Sequence, residues 1–184
     1  MIVEGELTTV ERTGEDRSER VSRPIFGRLV LGIWLTLSMC TVGVAAQGFE
    51  AAIAAGLADG EEEDVEDLEV GLELRWPTGI RRLAAVAGLS VTEKEAIYGY
   101  GGVRLAIDLG ARWRLAPGFA AGLYEQGDGK DLGHVLEFRS SLELAYATSR
   151  RTRLGALFYH ISNASISETN PGRNSLLLTF SWDP

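Results

Sequence analysis

Apolar residues recur at every second position along much of this chain. Leu68, Val70, Leu72, Leu74 and Trp76 share one parity, while Glu69, Gly71, Glu73 and Arg75 share the other. Successive strand side chains leave opposite faces, so this segment reads as a strand with one apolar and one polar side. The pattern returns in Val103, Leu105, Ile107 and Leu109, set against Arg104, Ala106 and Asp108. It returns again in Leu136, Phe138, Leu142, Leu144 and Tyr146, against Glu137, Arg139, Ser141, Glu143 and Ala145. A final stretch places Leu176, Leu178, Phe180 and Trp182 opposite Ser175, Thr179 and Ser181. Less regular alternation marks Phe49–Leu57, Leu83–Val91, Trp113–Tyr124 and Arg153–Ser162, with turn-rich segments between them. The pattern predicts eight strands.

The connections alternate in character. Long ones are expected at Asp59–Glu66, Thr92–Ala96, Glu125–His134 and Asn163–Asn174, and short ones near Pro77–Arg81, Gly110–Arg112 and Thr148–Thr152. Such an alternation fits an antiparallel up-and-down β-barrel with all its long loops at one end, the extracellular end if the chain enters from the periplasm. Period two does not say which face is inside. A soluble lipocalin-like lipid-binding barrel, apolar face inward, therefore stands beside an outer-membrane barrel with its apolar face toward lipid. Mixed charge on the polar parity, Glu69, Glu73, Arg75, Arg104, Asp108, Glu137, Arg139 and Glu143, suits a small lumen filled by paired ions and favours the membrane reading. Asp183 and Pro184 follow Trp182, whereas outer-membrane barrels often end on an aromatic residue.

The segment before these strands strengthens the membrane reading. From Leu29 to Ala46 no residue is charged, Arg20, Arg23 and Arg28 stand just before, and Val44 and Ala46 sit at −3 and −1 of a small-residue cleavage site. This is the signal-peptide pattern, with a single membrane anchor as the alternative. Residues 1–46 are thus expected to be an N-terminal extension and signal peptide, and residues 47–184 the barrel. The one cysteine, Cys40, falls inside the leader, so no disulfide framework is expected in the mature chain. LSMC matches a lipoprotein box only loosely, because Met39 stands where a small residue is required.

Composition narrows the function classes. The 184 residues are 45% hydrophobic and carry 18 Lys+Arg against 26 Asp+Glu, a formal net charge of −8. An acidic chain without a basic patch is not built for nucleic acid, and 22 glycines with only one long apolar run exclude a multi-span helical bundle. No G-x-S-x-G elbow, P-loop or H-E-x-x-H occurs, and the acidic stretch Glu61–Asp64 lacks the spacing of a calcium loop. No metal or cofactor is expected.

Candidate chemistry lies near the C-terminus, where Phe158 to Ala164 reads FYHISNA and is followed by SISETNPGRNS. His160 and Ser162 are two apart on a predicted strand, so both leave one face with about 7 Å between their backbones. A serine hydroxyl attacks only when a base removes its proton, and histidine is the usual base. On its own, His-x-Ser is equally well a strand-end hydrogen bond. His134 reads as a residue of a solvated loop.

The wider string is more specific. HISNA, then NPG, then a strand, together with GDGKDLGH (Gly127 to His134) and LEFRSSLEL (Leu136 to Leu144), resembles the lipid A 3-O-deacylase family, the PagL-type acyloxyacyl hydrolases. The resemblance is strongest from about Tyr98 onward. It implies an eight-stranded outer-membrane barrel that hydrolyses the ester-linked 3-hydroxyacyl chain at the 3-position of lipid A. Lipopolysaccharide is then the partner and substrate, within outer-membrane lipid; nucleic acid is not, and a homodimer is left open. Ser162 takes the place of the family's nucleophile and His160 that of its base. Asn163, with backbone N–H groups of the following loop, is expected at the oxyanion site, and Asn170 matches a loop asparagine near it. Two positions depart from the family. Asn174 stands where the family has the third triad member, a glutamate, with Glu168 as the alternative acid, and Ser165 replaces a frequent glycine. A member impaired in catalysis, serving as a structural or lipid-binding barrel, is the second reading.

Overall fold

The structure is a computed structural model and describes residues 48–60 and 66–184. The expected leader, including Cys40, and the acidic stretch Glu61–Asp64 lie outside the described residues. Nine strand segments follow in order: β1 (Glu50–Asp59), β2 (Glu66–Pro77), β3 (Leu83–Thr92), β4 (Ile97–Leu105), β5 (Ile107–Leu109), β6 (Trp113–Glu125), β7 (Leu136–Ala147), β8 (Thr152–Ser162) and β9 (Arg173–Trp182). β4 and β5 both pair with β6, on either side of Ala106, and make one stave. Each stave is antiparallel to its neighbours, and β9 pairs with β1 as well as β8, which closes an eight-stranded barrel.

Closure leaves no free edge, the condition for a sheet to sit in lipid with every backbone group paired. Side chains then sort by parity as the sequence pattern requires. Ile53, Leu72, Leu89, Phe119, Leu142, Phe158 and Leu178 point outward and are exposed, Leu178 at 74%. Glu69, Arg75, Glu137, Arg139, Glu143, Arg173, Ser175 and Thr179 point inward and are buried. An apolar outside around a charged inside is the outer-membrane arrangement, and it removes the soluble alternative. Around the end that carries the short turns, Trp76, Trp113, Tyr146 and Trp182 fall on the outward parity. Trp113 and Tyr146 meet edge to face at 5.0 Å, as in the aromatic girdle of a membrane interface.

Paired ions fill most of the lumen, while buried Glu137 has no hydrogen-bond partner on either carboxylate oxygen among the described residues. Glu73 accepts from Arg75 Nε at 2.6 Å, Arg104 Nη1 at 3.3 Å and Arg139 Nη1 at 3.3 Å, and also from the Tyr100 hydroxyl at 2.9 Å. Glu143 pairs with Arg104 and with Arg75 Nη2 at 3.1 Å, and takes the Thr179 hydroxyl at 2.7 Å. Arg139 lies between the rings of Tyr100 and Tyr159, 4.3 and 4.2 Å from their centroids. Further toward the other end, Glu69 is held by Ser175 Oγ at 2.8 Å, Arg173 Nη2 at 3.5 Å and the Tyr159 hydroxyl. In a dry interior each charge needs such partners, because an unpaired one carries its full desolvation cost.

Three expectations are adjusted. The fourth stave begins at Ile97, earlier than Val103, with Tyr98 and Tyr100 inside it. The Thr92–Ala96 connection is a tight turn, with Glu95 at φ 61 and the Thr92 N–H bonded to Ala96 O at 2.9 Å, rather than a long loop. β9 begins at Arg173, so Asn174 is a strand residue.

Candidate active site

β8 carries His160 and Ser162 to the loop-bearing end, both on the parity of Leu154, Ala156 and Phe158, so they face outward beside lipid. Register gives each its neighbours: Ser140 and Asn174 flank His160, and Phe138 flanks Ser162. His160 Nδ1 and Asn174 Oδ1 are 2.9 Å apart. Asn174 in turn donates twice to Asp59 Oδ2, from its backbone N at 3.0 Å and from Nδ2 at 2.9 Å. The chain of contacts therefore runs across three adjacent strands, β8, β9 and β1. Between the Ser162 hydroxyl and the imidazole the structure has no hydrogen bond. Such contacts are often long in unliganded sites and tighten when substrate binds.

Asp59 orients the amide. A carboxylate accepts, so the Asn174 NH₂ faces it and the amide oxygen faces His160. A neutral imidazole held against that oxygen has its hydrogen on Nδ1 and its free lone pair on Nε2. That nitrogen is the one a general base would use on Ser162.

The loop at 163–172 is built around Asn163, which is fully buried. Its Nδ2 donates to Leu132 O at 2.9 Å, Thr169 O at 2.8 Å and Ser167 Oγ at 3.1 Å, and its backbone N donates to Asn170 Oδ1 at 3.0 Å. Asn163 and Asn170, both expected at the oxyanion site, thus brace this loop internally, and Asn163 also ties it through Leu132 O to the loop at 126–135. Gly133 sits at that junction with φ 82, and a Cβ there would come within 2.1 Å of Thr169 O. After Asn163 the chain turns through two left-handed residues, Ala164 at φ 53 and Ser165 at φ 64. Neither N–H is bonded to a backbone carbonyl among the described residues. Gly172, at φ 66, passes against the imidazole; a Cβ there would lie 2.6 Å from Cε1 and 3.0 Å from Nε2 of His160.

Glu168 takes no part in the hydrogen bonds of this site among the described residues; the carboxylate beside Asn174 is Asp59. The sequence pattern places Asp59 at the head of the long acidic connection Asp59–Glu66. The available signal was its parity: Ile53, Leu57 and Asp59 alternate outward, so an acid stands where the strand's apolar face meets the rim. His134, just before β7, accepts the Leu136 N–H at 2.9 Å through Nδ1.

A closed eight-stranded barrel with a charged lumen, an apolar exterior and an outward serine, histidine and amide set at the loop end belongs to the class of outer-membrane barrels. Within that class, the profile of the family described as Lipid A 3-O-deacylase (PagL) matches residues 65–183, and the chain belongs to this family. No curated protein sequence matches it significantly. Among solved structures, the crystal structure of the outer membrane enzyme PagL is similar at TM-score 0.57 and 18% identity, over 72% of this chain and 98% of that one. Neisserial surface protein A matches at TM-score 0.55 and 11% identity, over 74% and 96%. A de novo designed transmembrane β-barrel matches at TM-score 0.56 and 6% identity, over 74% and 95%. At these identities the likeness is one of fold, and the family assignment rests on the sequence match. The protein is an outer-membrane β-barrel of the lipid A deacylase family.

Proposed function

We propose that this protein removes the ester-linked 3-hydroxyacyl chain from the 3-position of lipid A, with Ser162 as nucleophile and His160 as general base. The observation that carries the reading is the orientation of the pair. Both side chains leave the barrel outward at the loop end, where the acyl esters of an outer-leaflet lipid lie just below the head groups. Residues 1–46, read as a signal peptide, fit delivery to that membrane.

His160 Nε2 takes the Ser162 proton as Oγ attacks the ester carbonyl. The resulting oxyanion meets the N–H groups of Ala164 and Ser165, which the left-handed turn leaves without backbone partners. Collapse of the tetrahedral species breaks the ester C–O bond, and the imidazolium returns its proton to the departing sugar oxygen. Water, deprotonated by the same nitrogen, then attacks the acyl-serine, freeing a 3-hydroxy fatty acid and restoring the serine. Phe138, Phe158 and Leu176, on β7, β8 and β9 beside the pair, offer apolar surface along which an acyl chain can lie. Asn163 and Asn170 hold the loop in shape for the oxyanion donors.

The test is mass spectrometry of lipid A from cells producing the protein or its Ser162→Ala variant. Wild type is expected to yield lipid A lacking one hydroxyacyl chain, and the variant intact lipid A, with both barrels showing the same heat-modifiable gel mobility. Intact lipid A with folded wild-type barrel would reject the esterase and leave the impaired, structural member of the family.

A further inference from the structure

We infer that Asp59 is a positioning residue of this site, supplying through Asn174 the negative charge that the asparagine lacks. This rests on the esterase reading above. A neutral amide can hold an imidazole only if its oxygen is the atom presented, and an unrestrained asparagine presents either end. In the serine proteases, replacing the acid by an amide costs about 10⁴ in rate, because the histidine is then held in the wrong tautomer. Here the amide is not free. Nδ2 and the backbone N of Asn174 both donate to Asp59 Oδ2, at 2.9 and 3.0 Å, and this fixes Oδ1 on His160 Nδ1 at 2.9 Å. The order Ser162, His160, Asn174, Asp59 places a carboxylate one residue further out than in a triad, on the same outward face.

The interposed amide does two things for proton transfer. It keeps hydrogen on Nδ1 and the lone pair on Nε2 before attack. After attack, the imidazolium donates to an amide oxygen that the carboxylate has polarised, since hydrogen bonds in series strengthen one another and count for more where water is scarce. The site thus departs from the family's glutamate without losing its charge. Asp59 contributes that charge from β1, on the far side of β9 from the histidine.

The experiment compares wild type, Asp59→Asn, and Asp59→Asn with Asn174→Glu, each folded in detergent micelles with lipopolysaccharide as substrate. Asp59→Asn is expected to lower kcat on the order of 10²-fold with KM unchanged, because one amide facing another no longer fixes which end meets the histidine. Placing the carboxylate directly on His160 in the double variant is expected to restore most of the rate. Nitrogen-15 NMR of the imidazole adds a readout that does not need turnover: Nδ1–H in wild type, a mixture of tautomers in Asp59→Asn. A role limited to holding the β1–β9 strand end would move neither kcat nor the tautomer while the barrel stays folded, and would overturn the inference. A wild type with the Nδ1–H tautomer, lost in Asp59→Asn, but without deacylation would refute the esterase reading and leave the role of Asp59 in fixing His160 in place.

Discussion

Neutralising Glu73 is the sharpest perturbation of the lumen. Its Oε1 faces Arg75 Nε and Arg104 Nη1, and its Oε2 faces Arg139 Nη1 and the Tyr100 hydroxyl. Glu73→Gln keeps the shape, removes the charge and turns an NH₂ toward a guanidinium. The three arginines do not suffer equally. Arg75 retains Glu50 and Glu143, and Arg104 retains Glu143. Arg139, 4% exposed, has no other carboxylate among the described residues and would be left between the Tyr100 and Tyr159 rings. Removing one partner of a buried pair costs about 3–5 kcal/mol, and the aromatic faces return about 1–2 kcal/mol to the stranded cation. The expected net loss is about 1–4 kcal/mol. Urea unfolding in lipid vesicles, followed by tryptophan fluorescence, measures it. Replacing Arg139 by Met in the same chain removes the stranded cation and is expected to recover about half of that loss or more. A Glu73→Gln barrel within about 0.5 kcal/mol of wild type, or a double variant equal to the sum of its parts, would refute the view of Glu73 as the partner that holds Arg139.

Three further perturbations probe the site and the lipid face. Gly172→Ala puts a methyl 2.6 Å from His160 Cε1 at a left-handed position, so deacylation is expected to fall by about 10²-fold, read from lipid A mass spectra, with the barrel still folded. Ser165→Gly relieves a left-handed φ of 64, and the urea midpoint is expected to rise by the equivalent of about 0.5–1 kcal/mol with activity kept or increased. Leu178→Arg, midway along β9 and 74% exposed, sets a cation in hydrocarbon and is expected to destabilise the vesicle-folded barrel by about 2–4 kcal/mol; a change under about 1 kcal/mol would place Leu178 outside the apolar band.

Strands and their two faces are legible because period two is a local property: each of Glu69, Glu73, Arg75 and Arg139 is assigned to the polar face from its own neighbours, while the choice of that face as the inside rests on its mixed charge and the leader-like segment. The stretch Tyr98 to Gly102 was missed for the converse reason, since Gly99 and Gly101 occupy the outward positions and erase the apolar half of the alternation. His160 and Ser162 were readable as a pair because they lie on one strand, and Asn174 because the family motif fixes its place. Asp59 and the partners of Asn163 were not. Asp59 meets Asn174 from 115 residues away, and Asn163 meets Leu132 from 31. Contacts of that span depend on the register of barrel closure and on how two loops interlock, and no local spacing encodes either.

The histidine and Asn174 come from the last two strands to be made, whereas Asp59 comes from the first. They meet only across the join where β9 lies down beside β1. A chain arrested with this join open would already carry His160 and Ser162 on one face of β8, yet the contacts of the imidazole would end at an asparagine free to turn either way. Completion of the cylinder and completion of the His160–Asn174–Asp59 chain of contacts are then a single event. Under the proposed function, the cutting edge of this barrel exists only once the two ends of its sheet have met.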